Sequence, residues 1–193
     1  MTADRPLRAD AQRNRDKLLL AATEAFAQEG AAVALEAVAA RAGVGIGTLY
    51  RHFPNREALI VEACRHEVES LCSRAATLLA ALPPDQALQE WMERFAQYVA
   101  TKRGMGDALR STVAGSPLLG ETRGRIVDAL RLLMAAGAAD GSLRDDVAPE
   151  DVMRAMGTVW HLPTGPCRQD DVRRLLGLLL DGLRYGARGQ VTP

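Results

Sequence analysis

The sequence predicts an all-α fold, and three observations support this prediction. Apolar residues recur three and four positions apart along nearly all of the 193 residues. No segment alternates with the period of two that is typical of strands. Glycine or proline follows almost every helical run and provides its end. We therefore expect about nine helices and no sheet.

The front part of the chain carries four helical runs. They are expected at about 10–29, at 35–42, around 49–53 and at about 56–82. Gly30 ends the first run, Gly43 the second and Pro54 the third, because glycine adopts positive φ and proline cannot continue a helix. The fourth run is long and stops at Pro83 and Pro84.

The rest of the chain predicts a bundle of further helices. They are expected at about 88–103, 126–139, 149–160 and 170–187, with at most a short helix at 107–113. Pro149 suits the first position of its helix, and 162–167 is a connector rich in proline and glycine. We place a domain boundary at the start of the long helix, so that residues 1–56 form one domain and 57–193 another.

Composition excludes several classes of protein. The 24 basic and 24 acidic side chains cancel, so nucleic-acid binding must be argued from a local motif. Three cysteines without a CxxC pair, a charged N-terminus and no apolar run of membrane length predict a cytoplasmic protein without a membrane partner. No catalytic, cofactor or metal motif is present, so we expect no enzyme, no cofactor and no metal site. Cys64 and Cys72 are expected to be buried inert thiols, and the alternative is a metal or redox sensor with the nearby His66; the sequence leaves open whether Cys64, Cys72 or Cys167 senses redox state.

Residues 34–59 have the pattern of a helix-turn-helix. Val38 and Ala39 on the first short helix face Leu49 and Phe53 on the second, and Gly43 suits the turn. Such a second helix fits the major groove of DNA. The alternative is a plain helical hairpin with a tyrosine and a phenylalanine in its core.

The same segment resembles the DNA-binding signature of the tetracycline-repressor (TetR) family of transcriptional regulators. The matching residues are Val38, Ala39, Ala42, Gly43, Val44, Gly47, Leu49, Tyr50, His52, Phe53, Arg56 and Leu59. The resemblance implies that the DNA-binding residues are Thr48, Tyr50, His52 and Arg56 at the backbone and Gly45, Ile46, Gly47 and Arg51 at or near base edges. It covers about the first third of the chain. Arg51 also suits a bidentate contact with guanine.

Two positions depart from the family pattern. Ala34 stands where a Thr or Ser usually caps the helix, and Gly45 removes a side chain that often reads bases. Specificity is then expected to depend in part on a basic N-terminal arm. The arm contains Arg5, Arg8, Arg13, Arg15 and Lys17, and its alternative interpretation is a solvated tail.

The second half predicts a ligand pocket and a dimer interface. The pocket would collect large apolar side chains, namely Trp91, Phe95, Tyr98, Met105, Leu109, Met134, Met153, Met156 and Trp160, which otherwise form ordinary core. The last helix has more leucine than one buried face needs, which predicts an interface with a second copy. Its residues are Val172, Leu175, Leu176, Leu179, Leu180 and Leu183.

Together these observations predict a ligand-responsive repressor. It would bind a palindromic double-stranded DNA operator as a homodimer and be released by a small apolar or amphipathic effector. One alternative is a family member whose DNA binding has decayed and which acts as a ligand-binding or interaction protein. A small helical enzyme is the alternative from another class.

Overall fold

The computed structural model describes residues 4–30, 32–104, 118–158 and 168–187. These ranges contain eight α-helices and no strand, which confirms the all-α prediction. The helices are α1 (Asp4–Glu29), α2 (Leu35–Arg41), α3 (Ile46–His52), α4 (Arg56–Ala81), α5 (Pro84–Gly104), α6 (Leu118–Asp140), α7 (Pro149–Gly157) and α8 (Arg168–Arg184).

Helix bounds differ from the prediction most at three helix starts: α6 begins at Leu118 rather than near residue 126, α5 at Pro84 rather than near 88, and α1 six residues early. Helix α1 begins at Asp4 rather than near residue 10, because Pro6 lies in the first turn, where a missing N–H breaks no helical hydrogen bond. The predicted arm is therefore helical where the structure describes it. The short helix expected at 107–113 and the connector at 162–167 lie outside the described residues.

The chain divides into two compact units. Of the described residues, the first unit contains 4–67 and 100–104, and the second contains 68–99, 118–158 and 168–187. Helices α4 and α5 each contribute residues to both units. The domain limits predicted at 56 and 57 remain a prediction.

The core of the first unit joins the three N-terminal helices to the start of α4. Leu18 and Phe26 of α1, Val38 of α2, Leu49 of α3 and Ile60 of α4 are all buried. Each belongs to the apolar stripe of its helix, and burial of these stripes is the main force that holds such short helices together.

The core of the second unit is built around Trp91. Its indole N–H donates to the carbonyl oxygen of Leu71 at 2.9 Å, so the buried ring keeps its hydrogen bond. Leu130 and Leu133 of α6 and Met156 of α7 belong to the same buried cluster. None of the helices in the described ranges has both the length and the apolar character that a bilayer span requires.

Candidate nucleic-acid interface

The turn between α2 and α3 is a glycine-dependent helix ending. The Gly43 N–H donates to the Ala40 carbonyl oxygen at 3.1 Å, and the Val44 N–H donates to that of Ala39 at 3.0 Å. This pair of bonds defines a Schellman motif. The motif needs positive φ, which Gly43 supplies at 67°. The predicted turn residue is thus the one that sets the direction of α3.

Helix α3 exposes the residues for which the resemblance implies DNA contacts. Leu49 is fully buried and anchors the helix, whereas Tyr50 is 48% exposed. Arg51 is also exposed, and Thr48 and His52 are half-buried. No predicted contact residue of α3 is buried, so this helix presents one apolar side to the core and a polar side outward.

At the start of α3 two glycines leave the backbone uncovered by side chains. Gly45 and Gly47 are exposed, and a Cβ atom added at either position would meet no other atom within 4 Å. Gly45 has an ordinary extended conformation, with φ −72° and ψ 149°. The fold itself therefore accepts side chains here. Ile46, between these glycines, is half-buried.

Arg56 has a partner inside the protein. Its Nη1 donates to the Val33 carbonyl oxygen at 2.6 Å, and the side chain is half-buried. The Asn55 carboxamide oxygen accepts the Ala58 N–H at 2.8 Å and so caps the start of α4. An Asn directly before a long helical run was the available sequence signal for this capping role.

Helix α2 begins without a side-chain cap. Ala34 occupies the N-cap position in an extended conformation, with φ −63° and ψ 136°, and no side chain accepts the free N–H groups. Glu36 adds a negative charge in the first turn. Helix α2 therefore lacks the side-chain cap that a Ser or Thr at position 34 would supply.

The basic residues of α1 have different surroundings. Arg13 pairs with Asp10 on the exposed face, whereas Arg15 pairs with Glu62 of α4. The Arg15 guanidinium also lies over the Phe53 ring, 5.5 Å from its centroid. Arg15, although predicted as part of the basic arm, therefore contacts residues of the first unit. The side chains of Arg5 and Arg8 lie outside the described residues.

The predicted pocket residues that the structure describes lie mostly in the core of the second unit. Trp91, Phe95, Tyr98, Met134 and Met156 are buried, and the Trp91 and Phe95 rings stack with centroids 6.1 Å apart. Met153 is half-buried, and Met105, Leu109 and Trp160 lie outside the described residues.

An open cleft of about 680 Å³ lies elsewhere on α5. Its lining is mostly polar and consists of Gln86, Gln89, Glu90, Glu93, Arg94 and Gln97, with Leu82 and Arg184. The cleft and the predicted pocket do not coincide.

The predicted interface residues divide into two sets. Leu176, Leu180 and Leu183 are buried within the second unit, so their burial needs no partner. Leu175 is exposed, and Val172 and Leu179 are half-buried. Leu178, which lies outside the predicted interface set, is 69% exposed. Its spacing of three from Leu175 was the available signal.

Two cysteines lie on α4 with weakened acidity. Burial raises the pKa of the Cys64 thiol to about 11, while the Lys102 charge lowers it and Glu67 raises it further. Burial also raises the pKa of Cys72, against the lowering effect of Arg125. Both side chains therefore stay protonated near neutral pH. Cys167 lies outside the described residues.

Comparison with known proteins places both halves of the chain. Residues 18–63 match the family model of bacterial regulatory proteins of the tetR family, and residues 83–185 match the C-terminal domain of SbtR-like transcriptional regulators. The HTH-type transcriptional repressor KstR of Mycolicibacterium smegmatis is 32% identical over 161 residues, which cover 80% of this chain and 76% of that protein. The KstR of Rhodococcus jostii is 47% identical over 70 residues, 35% of this chain and 33% of that protein.

A solved structure extends the similarity to nearly the whole chain. The TetR transcriptional regulator from Streptomyces coelicolor is 47% identical, covers 90% of this chain and 99% of its own, and superposes with a TM-score of 0.84. The helix-turn-helix of α2 and α3 occupies the part that the N-terminal family model matches. The chain belongs to the TetR family of DNA-binding transcriptional regulators.

Proposed function

We propose that this regulator is a repressor that binds a palindromic operator as a homodimer and is released by a small effector. The exposed Tyr50 and Arg51 on a helix anchored by the buried Leu49 carry the proposal, because this arrangement suits a helix that enters the major groove. Two relatives named as transcriptional repressors support the sign of regulation.

Each side chain on α3 has a chemistry that suits one part of the duplex. The Thr48 and Tyr50 hydroxyls and the His52 ring suit phosphate oxygens, which fix register and orientation. The planar guanidinium of Arg51 suits the O6 and N7 acceptors of guanine. Gly45 and Gly47 leave room for the backbone to approach the bases, and Ile46 lies between them. Arg56 already binds the Val33 carbonyl oxygen, so its contact with a phosphate would be additional.

Gel-shift titration against the DNA upstream of the gene tests DNA binding. Arg51→Ala should weaken specific binding by roughly 5- to 150-fold, because a good bidentate base contact contributes about 1–3 kcal/mol. Tyr50→Phe removes one hydroxyl and should weaken binding about fivefold. Tyr185→Ala is the matched control, since Tyr185 is exposed on the second unit. If the wild-type protein and all three variants bind DNA with equal affinity, the contacts assigned to Arg51 and Tyr50 are refuted.

The runner-up is a family member that has lost DNA binding. The uncapped Ala34 and the bare Gly45 favour it, because both positions lack a side chain that the family pattern usually supplies. Selection from a random duplex pool separates the two functions. Recovery of an inverted repeat supports the repressor, and failure of the folded wild-type protein to enrich any sequence supports the runner-up.

The effector would bind among the apolar side chains of the second half. The proposed set is Trp91, Phe95, Tyr98, Met105, Leu109, Met134, Met156 and Trp160. An effector releases DNA only through different affinities for the DNA-binding and non-binding conformations. Helix α4 is the proposed lever because it contributes to both units.

Ligand screening by thermal shift tests the pocket, since a ligand of the folded state raises the melting temperature. The chain has two tryptophans, so Trp160→Phe leaves Trp91 as a reporter. A true effector should raise the melting temperature, change Trp91 emission and weaken the gel shift. A hit that leaves the gel shift unchanged would not be an effector.

A further inference from the structure

Arg15 makes two contacts that join α1 to the end of the helix-turn-helix. Its Nη2 pairs with the Glu62 carboxylate of α4, and its Cζ lies 5.5 Å from the centroid of the Phe53 ring. About a third of the Arg15 side chain and a quarter of the Glu62 side chain are exposed. Two partners on different elements therefore hold one partly buried guanidinium.

Phe53 connects this contact to the recognition helix. It is the C-cap residue of α3, and its N–H donates to the Leu49 carbonyl oxygen at 2.8 Å. Its ring is buried. A group that rests on this ring therefore acts on the last turn of the helix that carries Tyr50 and Arg51.

Glu62 is itself held from two sides. One carboxylate oxygen pairs with Arg15, and the other accepts a hydrogen bond from Arg65 Nη1 at 2.8 Å. The carboxylate is thus a fixed anchor on α4. A planar guanidinium can pair with this anchor and stack on the Phe53 ring at once, which an ammonium group cannot do as well.

Both contacts of Arg15, the carboxylate that it shares with Arg65 and the Phe53 ring, lie within the protein. Arg13 offers the contrast on the same helix, because its pair with Asp10 has both side chains more than 60% exposed and is readily exchanged for other partners. We propose that Arg15 is a positioning residue for DNA recognition: it sets α3 through Phe53 and Glu62 and makes no phosphate contact. The proposal rests on the proposed binding of DNA by α3.

Salt-dependent binding distinguishes a positioning residue from a phosphate ligand. The variants are Arg15→Gln, Arg15→Lys and Glu62→Gln, with Arg74→Gln as the control, since Arg74 is exposed on the second unit. Affinity is measured at several salt concentrations for the selected operator and for an unrelated duplex, with the active fraction fixed by stoichiometric titration. A variant that is partly unfolded is thereby distinguished from a folded variant that binds DNA more weakly.

We expect Arg15→Gln to weaken operator binding roughly tenfold, with an unchanged salt slope and unchanged binding to the unrelated duplex. Glu62→Gln should change binding in the same direction, and Arg15→Lys should recover only part of the loss. The proposal is overturned if Arg15→Gln lowers the salt slope by about one and weakens both duplexes equally, or if Glu62→Gln binds as well as wild type.

Hydrogen exchange separates this inference from the proposed function. The Phe53 amide should exchange faster in Arg15→Gln, while amides around Trp91 in the second unit should keep their rates. If wild-type protein binds no DNA, the proposed function fails. An unchanged Phe53 exchange rate refutes the contact on α3 whether or not DNA binds.

Discussion

Arg56 donates a hydrogen bond from Nη1 to the Val33 carbonyl oxygen at 2.6 Å. Val33 is buried in the segment between α1 and α2, and Arg56 is the first residue of α4. The bond therefore joins two stretches that lie 23 positions apart and enclose the helix-turn-helix. A residue for which the family resemblance implies a phosphate contact also has a part in the fold.

We expect Arg56→Ala to destabilise the protein by about 1.5–3 kcal/mol, because a part-buried hydrogen bond from a charged donor is lost and the Val33 carbonyl oxygen loses this partner. Denaturant unfolding at fixed protein concentration measures this loss. Arg51→Ala should stay within about 0.5 kcal/mol of wild type, since Arg51 is exposed. Equal stability of the two variants would contradict a structural role for Arg56.

Ala34→Ser should stabilise the protein by about 1 kcal/mol, because the hydroxyl accepts a free N–H at the start of α2 and the backbone there already has the N-cap conformation. The melting temperature should rise by roughly 2–4 °C. Ala40→Ser, on the exposed face inside α2, is the control and should cost a few tenths of a kcal/mol. A melting temperature for Ala34→Ser at or below that of the control would refute the missing cap.

Gly137→Ala should destabilise the protein by about 1–3 kcal/mol, because the new Cβ would lie 2.4 Å from Leu143 Cδ1 in a buried contact. Gly124→Ala on the same helix meets no atom within 4 Å and should stabilise by about 0.5–1 kcal/mol. Urea unfolding compares the pair. If the free energy of unfolding changes in the same direction in both variants, the contact with Leu143 does not restrict the side chain that position 137 accepts.

Cys64 should react slowly with iodoacetamide at pH 8. A pKa of about 11 leaves roughly one thiol in a thousand ionised at that pH. In a Cys72→Ser/Cys167→Ser variant, iodoacetamide should alkylate Cys64 about a hundredfold more slowly in the folded protein than in urea. The rate in the folded protein should increase as the pH rises toward 11. Since the folded pKa lies above the unfolded one, the stabilising contribution of the protonated thiol holds below pH 9 and is lost as the pH rises through 11. Native and unfolded rates within a fewfold of each other would contradict the burial of Cys64.

Leu178→Glu should convert the proposed dimer into monomers of unchanged helicity, because Leu178 is the most open leucine of α8 among the described residues. Sedimentation velocity and circular dichroism measure both properties. Leu20→Glu, exposed on the first unit, should leave the dimer intact. Leu180→Glu should unfold the second unit instead, since Leu180 is buried there. A Leu178→Glu dimer would exclude this face of α8.

The sequence predicted the helices and the helix-turn-helix because their signals are local. Apolar spacing marks a helix wherever it later packs, and the need for positive φ at Gly43 follows from the turn itself. Exposure of Tyr50 beside the buried Leu49 follows from the same helical period.

Only the tertiary structure decided which partners the charged and excess apolar residues have. Arg15 was grouped with a basic arm because its neighbours are basic, yet Glu62 and Phe53, far along the chain, hold it inside the first unit. The leucines of α8 all fit one helical pattern, but Leu180 meets the core and Leu178 does not. Periodicity describes one helix alone, whereas contacts between distant segments depend on how all the helices pack together.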